Sequence, residues 1–125
     1  MTDVTKIFAT LPALLDADSR LLHAGRLLSV DCLLGPSDHP FLVSIRSGRI
    51  AEMRALPKTM PSWQFGYTAS PQGWTEYWRR EPKAGWHDLL ALTKRGEAQL
   101  VGDIYPFMTH LQYFKDLLAL PRGKS

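Results

Sequence analysis

The stretch that decides the fold is Lys94-Arg95-Gly96-Glu97-Ala98-Gln99-Leu100-Val101-Gly102-Asp103, and an apolar run from Ile104 to Leu120 follows it at once. Gly96 is predicted to end a helix, and residues 98–101 are predicted to form a short strand before a second glycine turn. Asp103 then has the chemistry of a helix N-cap. The passage therefore sets an amphipathic helix against the edge of a small sheet. Such a helix either seals a core or lines an apolar cavity.

Working outward from this stretch, alternation of apolar and polar residues predicts four earlier strands. Strand character begins near Arg26 and ends before turn material at residues 35–38. Ser47-Gly48 is predicted to be a tight hairpin turn between the second and third strands. The predicted strands are 26–34, 41–46, 50–56 and 63–68, and residues 57–61 are predicted to be a connection.

Helical spacing and capping residues predict the remaining elements. Apolar residues from Val4 to Leu15 recur at helical intervals, with Asp3 as a candidate N-cap. Pro12 either kinks this helix or starts a second one with Thr10 as its cap. The further predicted helices are Asp18–Ala24, ended by Gly25, then Pro71–Trp78 behind Ser70, then one from about Gly85 to Gly96, and lastly Ile104–Leu120.

The order of these elements predicts an α+β fold, with a five-stranded, mostly antiparallel sheet and helices on one face. The length of 125 residues fits a single domain, 1–125, with residues 1–25 as an N-terminal helical segment and 26–121 as the sheet-containing part. The fifth strand follows two helices, so its pairing in the sheet stays open. The hydrophobic fraction of 45% is ordinary for a globular protein.

Composition narrows the classes of function. The single cysteine, Cys32, cannot form an internal disulfide or build a zinc site by itself, so no metal and no cofactor are expected. The net charge of +3 comes without a nucleic-acid-binding motif, and nucleic acid is not an expected partner. The N-terminal residues have no long apolar stretch behind them, which predicts a cytoplasmic protein without a signal peptide.

The pattern resembles the sterol carrier protein family from about Asp31 to Leu120. The most specific part is the quoted stretch 94–103, with its glycine, short strand, Gly-Asp and helix. The hairpin at Ser47-Gly48 and the segment 65–70 leading into a helix with Trp74 support it. The resemblance implies a sterol-carrier-like domain over 26–121 that binds or transfers a fatty acid, fatty acyl or sterol-like lipid in a hydrophobic tunnel, without catalysis.

The residues expected to line such a tunnel are apolar and come from the fourth strand and the helices after it. Aromatic side chains give rigid apolar walls, and a methionine adapts to variable ligands. The alternative for all of them is plain core packing. The candidate ligand-binding residues are Phe65, Trp74, Trp78, Trp86, Leu89, Leu90, Phe107, Met108, Leu111 and Phe114.

Two other classes of function stay open. A small cone-shaped isomerase or hydratase would use an aspartate base and a tyrosine donor, with Asp31 and either Tyr67 or Tyr105 as candidates. A partner or regulatory module would form a homodimer through an exposed apolar face of residues 4–15. A basic rim near Arg79 and Lys94 is predicted to give transient contact with anionic membrane.

Overall fold

The computed structural model describes residues 4–55 and 62–122. The candidate cap Asp3, the end of the third predicted strand and the predicted connection 57–61 lie outside the described residues. The sheet has five strands: β1 (Val30–Pro36), β2 (Phe41–Arg46), β3 (Arg49–Ala55), β4 (Phe65–Ala69) and β5 (Ala98–Gly102). The helices are α1 (Val4–Phe8), α2 (Leu11–Asp16), α3 (Ser19–Ala24), α4 (Pro71–Tyr77), α5 (Leu89–Lys94), α6 (Tyr105–Thr109) and α7 (Leu111–Leu118).

The strands lie in the order β3-β2-β1-β4-β5. Strands β1, β2 and β3 form an antiparallel meander, and β5 pairs antiparallel with β4. The one parallel pair is β1 with β4, in which Cys32 is opposite Phe65 and Leu34 is opposite Tyr67. The prediction of a mostly antiparallel five-stranded α+β fold is therefore confirmed. The sequence left the partner of the fifth strand open, and the structure shows that this partner is β4.

One face of the sheet carries the core. Side chains of successive strand residues point to opposite faces, so Cys32, Val43 and Phe65 share the inner face with Tyr67. The helices pack on this face, and their buried residues join the strands in one apolar cluster. The predicted placement of helices on one face is thus confirmed. Leu33 and Leu42 face the other way, are buried as well, and do not belong to this cluster.

Local chemistry explains why several elements form where the sequence predicts them. Ser47 and Gly48 both have positive φ, 52° and 80°, as a two-residue turn between twisted strands requires. Ser70 caps α4 by accepting a hydrogen bond from the N–H of Gly73. Asp18 caps α3 in the same way through the N–H of Leu21.

Three predicted strand boundaries are wrong, and one of them is the start of β4, which lies at Phe65 instead of Trp63. Strand β1 begins at Val30 instead of near Arg26, because the N–H of Leu28 closes a turn on the Gly25 carbonyl. The strand also continues through the predicted turn at residues 35–36, since the N–H of Ser37 still pairs with the Ala69 carbonyl at 2.8 Å.

The other two corrections concern helices. Helix α5 begins at Leu89 and not near Gly85, because Gly85 has a φ of 87° and the Asp88 carboxylate caps the helix at its observed start. The last helix is two helices, because the backbone of His110 leaves the helical region with φ −114° and ψ 35°. Asp103 lies one residue before the N-cap Ile104, and its Oδ1 accepts a hydrogen bond from the N–H of Tyr105.

The N-terminal helices are part of the core. Thr10 is the N-cap residue of a second helix that has Pro12 in its first turn. Of the two predicted options, Pro12 therefore starts a new helix and does not kink the first one. Phe8, Leu11 and Leu15 are at most 1% exposed and belong to the same apolar cluster as the sheet. The expectation of an exposed apolar face over residues 4–15, free for dimerisation, is therefore wrong, because the chain itself buries that face.

Candidate functional site

Between the sheet and the helices lies a continuous group of aromatic rings, and five of them are fixed by hydrogen bonds. Each uses its polar atom to donate to a backbone carbonyl on another element, and we call these five the tethered rings. The bonds are Trp74 Nε1 to Gly35 O at 2.9 Å, Trp78 Nε1 to Leu118 O at 2.7 Å, Tyr67 hydroxyl to Leu89 O at 2.6 Å, Tyr77 hydroxyl to Lys115 O at 3.0 Å and Tyr113 hydroxyl to Gly48 O at 2.7 Å.

Burial keeps these donors protonated. Burial raises the pKa of the Tyr77 hydroxyl to about 12, although the nearby Arg122 guanidinium opposes the shift. Burial also raises the pKa of Tyr67 and of Tyr113 above the usual tyrosine range. All three hydroxyls are therefore neutral donors at physiological pH, and the rings stay attached to α5, α7 and the β2–β3 hairpin.

Phe8 fills the space beside the two tethered tryptophans. Its ring centroid lies 4.8 Å from that of Trp74 and 5.4 Å from that of Trp78, and the side chain is fully buried. Helix α1 thus contributes a ring to the interior that the sequence assigned to α4 and the later helices.

Three phenylalanines form a second group in the interior, next to the rings of Tyr67 and Tyr113, and we call them the phenylalanine seam. Phe65 comes from β4, Phe107 from α6 and Phe114 from α7. Their ring centroids are 5.3–5.5 Å apart in all three pairs, and each side chain is fully buried. The Phe107 ring also stacks on Tyr67 at 5.6 Å. These rings have no polar atom, so only packing holds them.

The other predicted ligand-binding residues are spread around these two groups. Leu89 is fully buried, and Leu90 and Leu111 are half-buried against the core. Trp86 is half-buried beneath the Arg95 guanidinium, whose central carbon lies 4.2 Å from the ring centroid. Met108 is 44% exposed and faces away from the seam. The structure therefore brings together Phe65, Phe107 and Phe114, and separately Trp74 with Trp78.

An ion pair joins the two helices that border the seam. Asp88 accepts hydrogen bonds from the N–H groups of Leu90 and Ala91 as the cap of α5. Lys115 Nζ on α7 lies 2.8 Å from Asp88 Oδ1. Partial burial alone would raise the pKa of this carboxyl, but Lys115 and the two backbone donors outweigh it and lower the pKa. Asp88 is therefore ionised at neutral pH.

A separate groove of about 540 Å³ lies between α3 and α7. Leu21, Ala24 and Leu120 contribute its apolar wall, and Asp18 and Asp116 are on its rim. None of the ten predicted ligand-binding residues lines it. The groove is open to solvent, and no residue of the phenylalanine seam lines it.

The arrangement proposed for an enzyme is not assembled. Asp31 lies on the outer face of β1 and pairs with Arg46 at 2.9 Å, whereas the Tyr67 side chain is on the inner face. Tyr105 is 74% exposed. Within residues 4–55 and 62–122, no charged side chain is buried, and no three His, Cys, Asp or Glu side chains are close enough to share a metal ion.

Several residues that shape this region were not among the predicted ligand-binding residues, although Tyr105 was considered as a proton donor. Phe8 and Tyr113 enter the aromatic interior from α1 and α7. Ile104 and Tyr105 are exposed beside Met108 on α6. The sequence did carry a signal for the exposed residues of α6. Near residue 105 the predicted helix has apolar residues on every side, which is unusual for a helix that meets water.

Comparison with solved structures places this geometry among sterol carrier proteins. The crystal structure of sterol carrier protein 2 superposes with a TM-score of 0.70 and 16% identity, over 94% of this chain and 95% of that chain. A conserved hypothetical protein from Thermus thermophilus gives 0.63 and 15%, over 100% of this chain and 94% of that one. No family model and no curated protein sequence matches.

A third solved structure is a UbiJ-SCP2 ubiquinone synthesis protein, with a TM-score of 0.59 and 19% identity over 94% of this chain and 89% of that chain. The three structures agree on the same fold. This protein therefore has the sterol carrier protein 2 fold, as its resemblance implied. In the described part of the chain, no helix is long and apolar enough to cross a membrane.

Proposed function

We propose that this protein, built on the sterol carrier protein 2 fold, binds one apolar ligand in the space that the phenylalanine seam now fills. The observation that carries the proposal is the contrast inside the aromatic interior: Phe65, Phe107 and Phe114 contact one another and the rings of Tyr67 and Tyr113, but no hydrogen bond holds their own rings. A ligand that replaces Phe107 breaks no polar contact of that side chain.

When no ligand is bound, we expect side chains of the protein itself to fill the binding space. An empty cavity of about 300 Å³ would cost roughly 7 kcal/mol, at about 24 cal/mol per Å³. That is comparable with the whole stability of a small domain. The chain therefore gains stability by placing its own side chains in the space, and Phe107 on the short helix α6 is the group that does so.

The energetics favour a long apolar ligand. Burying about twelve methylenes gains roughly 10 kcal/mol, at about 0.8 kcal/mol each. Association costs of about 4–15 kcal/mol oppose this gain. At the lowest association cost about 6 kcal/mol remains, so a dissociation constant on the order of tens of micromolar for a fatty acid or fatty acyl chain is within reach without a specific polar contact.

A ubiquinone-type compound is the second candidate ligand. One of the structural neighbours is a ubiquinone synthesis protein. The seam and Tyr67 offer stacked faces to a flat ring, and aromatic groups favour offset stacking at such distances. Organic extraction of the purified protein followed by mass spectrometry separates the two candidates, because they differ in mass and in absorption.

The sharpest test compares two deletions of the same size. Phe107→Ala and Phe8→Ala each remove a fully buried phenylalanine ring and should each cost about 3–5 kcal/mol of unfolding free energy. Only Phe107→Ala should tighten binding of a fluorescent fatty acid to the delipidated protein, by about tenfold, because the ligand no longer displaces that ring.

These outcomes distinguish where the ligand binds from whether it binds at all. Tighter binding in Phe8→Ala alone would place the ligand beside Trp74 and Trp78 and reject the seam. No binding to either variant or to the unchanged protein, and no lipid in the extract, would reject the proposal as a whole. Circular dichroism of both variants checks that they are folded.

A further inference from the structure

The exposed apolar side chains of this protein are concentrated in one short segment. Among the described residues, five large hydrophobic side chains are exposed, and four of them lie within residues 101–108. The exposed fractions are 46% for Val101, 42% for Ile104, 74% for Tyr105 and 44% for Met108. Single exposed apolar residues are normal on a protein surface, but four of them within eight residues form an unusual concentration.

The three residues at α6 form one continuous surface, which we call the α6 patch: Ile104, Tyr105 and Met108. Ile104 and Met108 are four residues apart, and Tyr105 and Met108 are three apart, so they are neighbours on a helix. Phe107 points the other way, into the seam. The same five-residue helix therefore contacts the apolar interior with one side and water with the other.

The size of the α6 patch argues against a stable protein partner. A specific interface buries about 800 Å² and involves roughly 20–30 residues on each side. Three partly exposed side chains on a short helix fall far below that requirement. A lipid surface has no such minimum area, because a few apolar side chains can enter the boundary between head groups and acyl chains.

The chemistry of the patch and its surroundings also fits a lipid surface. Tyrosine and tryptophan are enriched where protein meets the membrane interface. The half-buried Trp63 ring packs beside Gly102, at the turn that leads to the patch. The charged residue within this segment is Asp103, an acid, so anionic lipid is not what the segment attracts.

We propose that the α6 patch inserts into the surface of a zwitterionic lipid bilayer. The inference rests on the proposed function, since it supplies a path by which an apolar ligand passes from the bilayer to the seam. Insertion draws the outer residues of α6 toward the acyl chains. The Phe107 side chain is on the same helix and moves with them.

The test is flotation of the protein with phosphatidylcholine vesicles. The variant I104S/Y105S should reduce the partition coefficient about tenfold, because two apolar side chains leave the interface. Leu27→Ser is the matched control: Leu27 is 83% exposed but lies between α3 and β1, far along the chain from the patch, and its removal should leave the partition coefficient unchanged. Raising the salt concentration should not weaken the binding.

Each other outcome overturns the inference. An equal loss of vesicle binding in Leu27→Ser would mean that any exposed apolar side chain contributes, wherever it lies. Release by salt would indicate that the basic residues near Arg79 and Lys94 bind the vesicles instead. A dimer that forms without vesicles and dissociates in I104S/Y105S would make a second copy the partner. Tyr105→Ser alone serves if the double variant does not fold. Fatty acid binding measured without vesicles is a separate readout, so its failure would reject the proposed site and not the bilayer contact.

Discussion

The two sides of the aromatic interior are held together by different forces. On one side, the tethered rings combine packing with a hydrogen bond from each polar ring atom to a distant carbonyl. On the other side, the phenylalanine seam has packing alone. A buried donor or acceptor left without its partner costs about 1–3 kcal/mol, so moving a tethered ring is more costly than moving a phenylalanine of equal size.

The two groups also differ in the elements that their contacts join. The tethered rings connect α4 to β1 and α7, and they connect α7 to the β2–β3 hairpin. Helix α6 has no such connection through its apolar side chains, and its outer surface is already exposed. We call the tethered rings the fixed half of the interior, and in our proposal the other half, the phenylalanine seam, exchanges its side chains for a ligand.

The largest expected effect is at the centre of the fixed half. Trp74→Ala removes a fully buried ring and leaves the Gly35 carbonyl without its donor, so unfolding free energy should fall by about 4–5 kcal/mol or more. Fatty acid should not restore the loss, whereas it should raise the melting temperature of Phe107→Ala. Thermal unfolding of the two variants, with and without fatty acid, measures both responses to the ligand. Equal rescue of the two variants would remove the distinction between the halves.

A smaller effect is expected where only the tether is removed. Tyr113→Phe keeps the ring but deletes the hydroxyl that donates to the Gly48 carbonyl at 2.7 Å. Unfolding free energy should fall by about 1–2 kcal/mol, because a buried acceptor is left unpaired. Urea denaturation gives the value, and Phe114→Leu is the comparison on the seam, where shape changes but no hydrogen bond is lost. A neutral result for Tyr113→Phe would mean that the tethers add nothing to packing.

The smallest effect concerns the ion pair beside the seam. Asp88→Asn keeps an oxygen that can cap α5 but loses the charge that faces Lys115, so the cost should be about 0.5–1 kcal/mol at pH 7. Because the folded-state pKa of Asp88 lies below its usual value, this stabilisation is present at neutral pH and disappears as the pH falls through the folded pKa. Denaturation of both proteins at a series of pH values from 7 downward measures this, and a difference that does not decrease once the pH is below the usual aspartate range contradicts it.

Much of the fold was readable because the deciding signals are local. The hairpin at Ser47-Gly48 and the cap at Ser70 each depend on a few adjacent residues. The break at His110 has no such mark, since Phe107, Leu111 and Phe114 keep a regular helical stripe across it. The start of α5 at Leu89 was missed because the capping carboxylate of Asp88 sits inside an otherwise helical pattern.

The site was predictable only in part. The sequence placed Phe65, Phe107 and Phe114 in one apolar region, and the structure brings them into mutual contact. The pattern could not distinguish them from the tethered Trp74 and Trp78, because the difference is whether a ring nitrogen reaches a carbonyl on another element. Such a contact joins residues about forty positions apart and depends on the complete fold.

The parallel pairing of β1 with β4 has a consequence for the order of folding. The meander of β1, β2 and β3 closes through short connections, but Cys32 meets Phe65 only after the intervening chain has formed a large loop. Closing such loops costs entropy before any contact repays it, and contacts between distant residues slow folding. The seam needs β4, α6 and α7 together, so we expect it to assemble after the meander and to separate first when the protein unfolds.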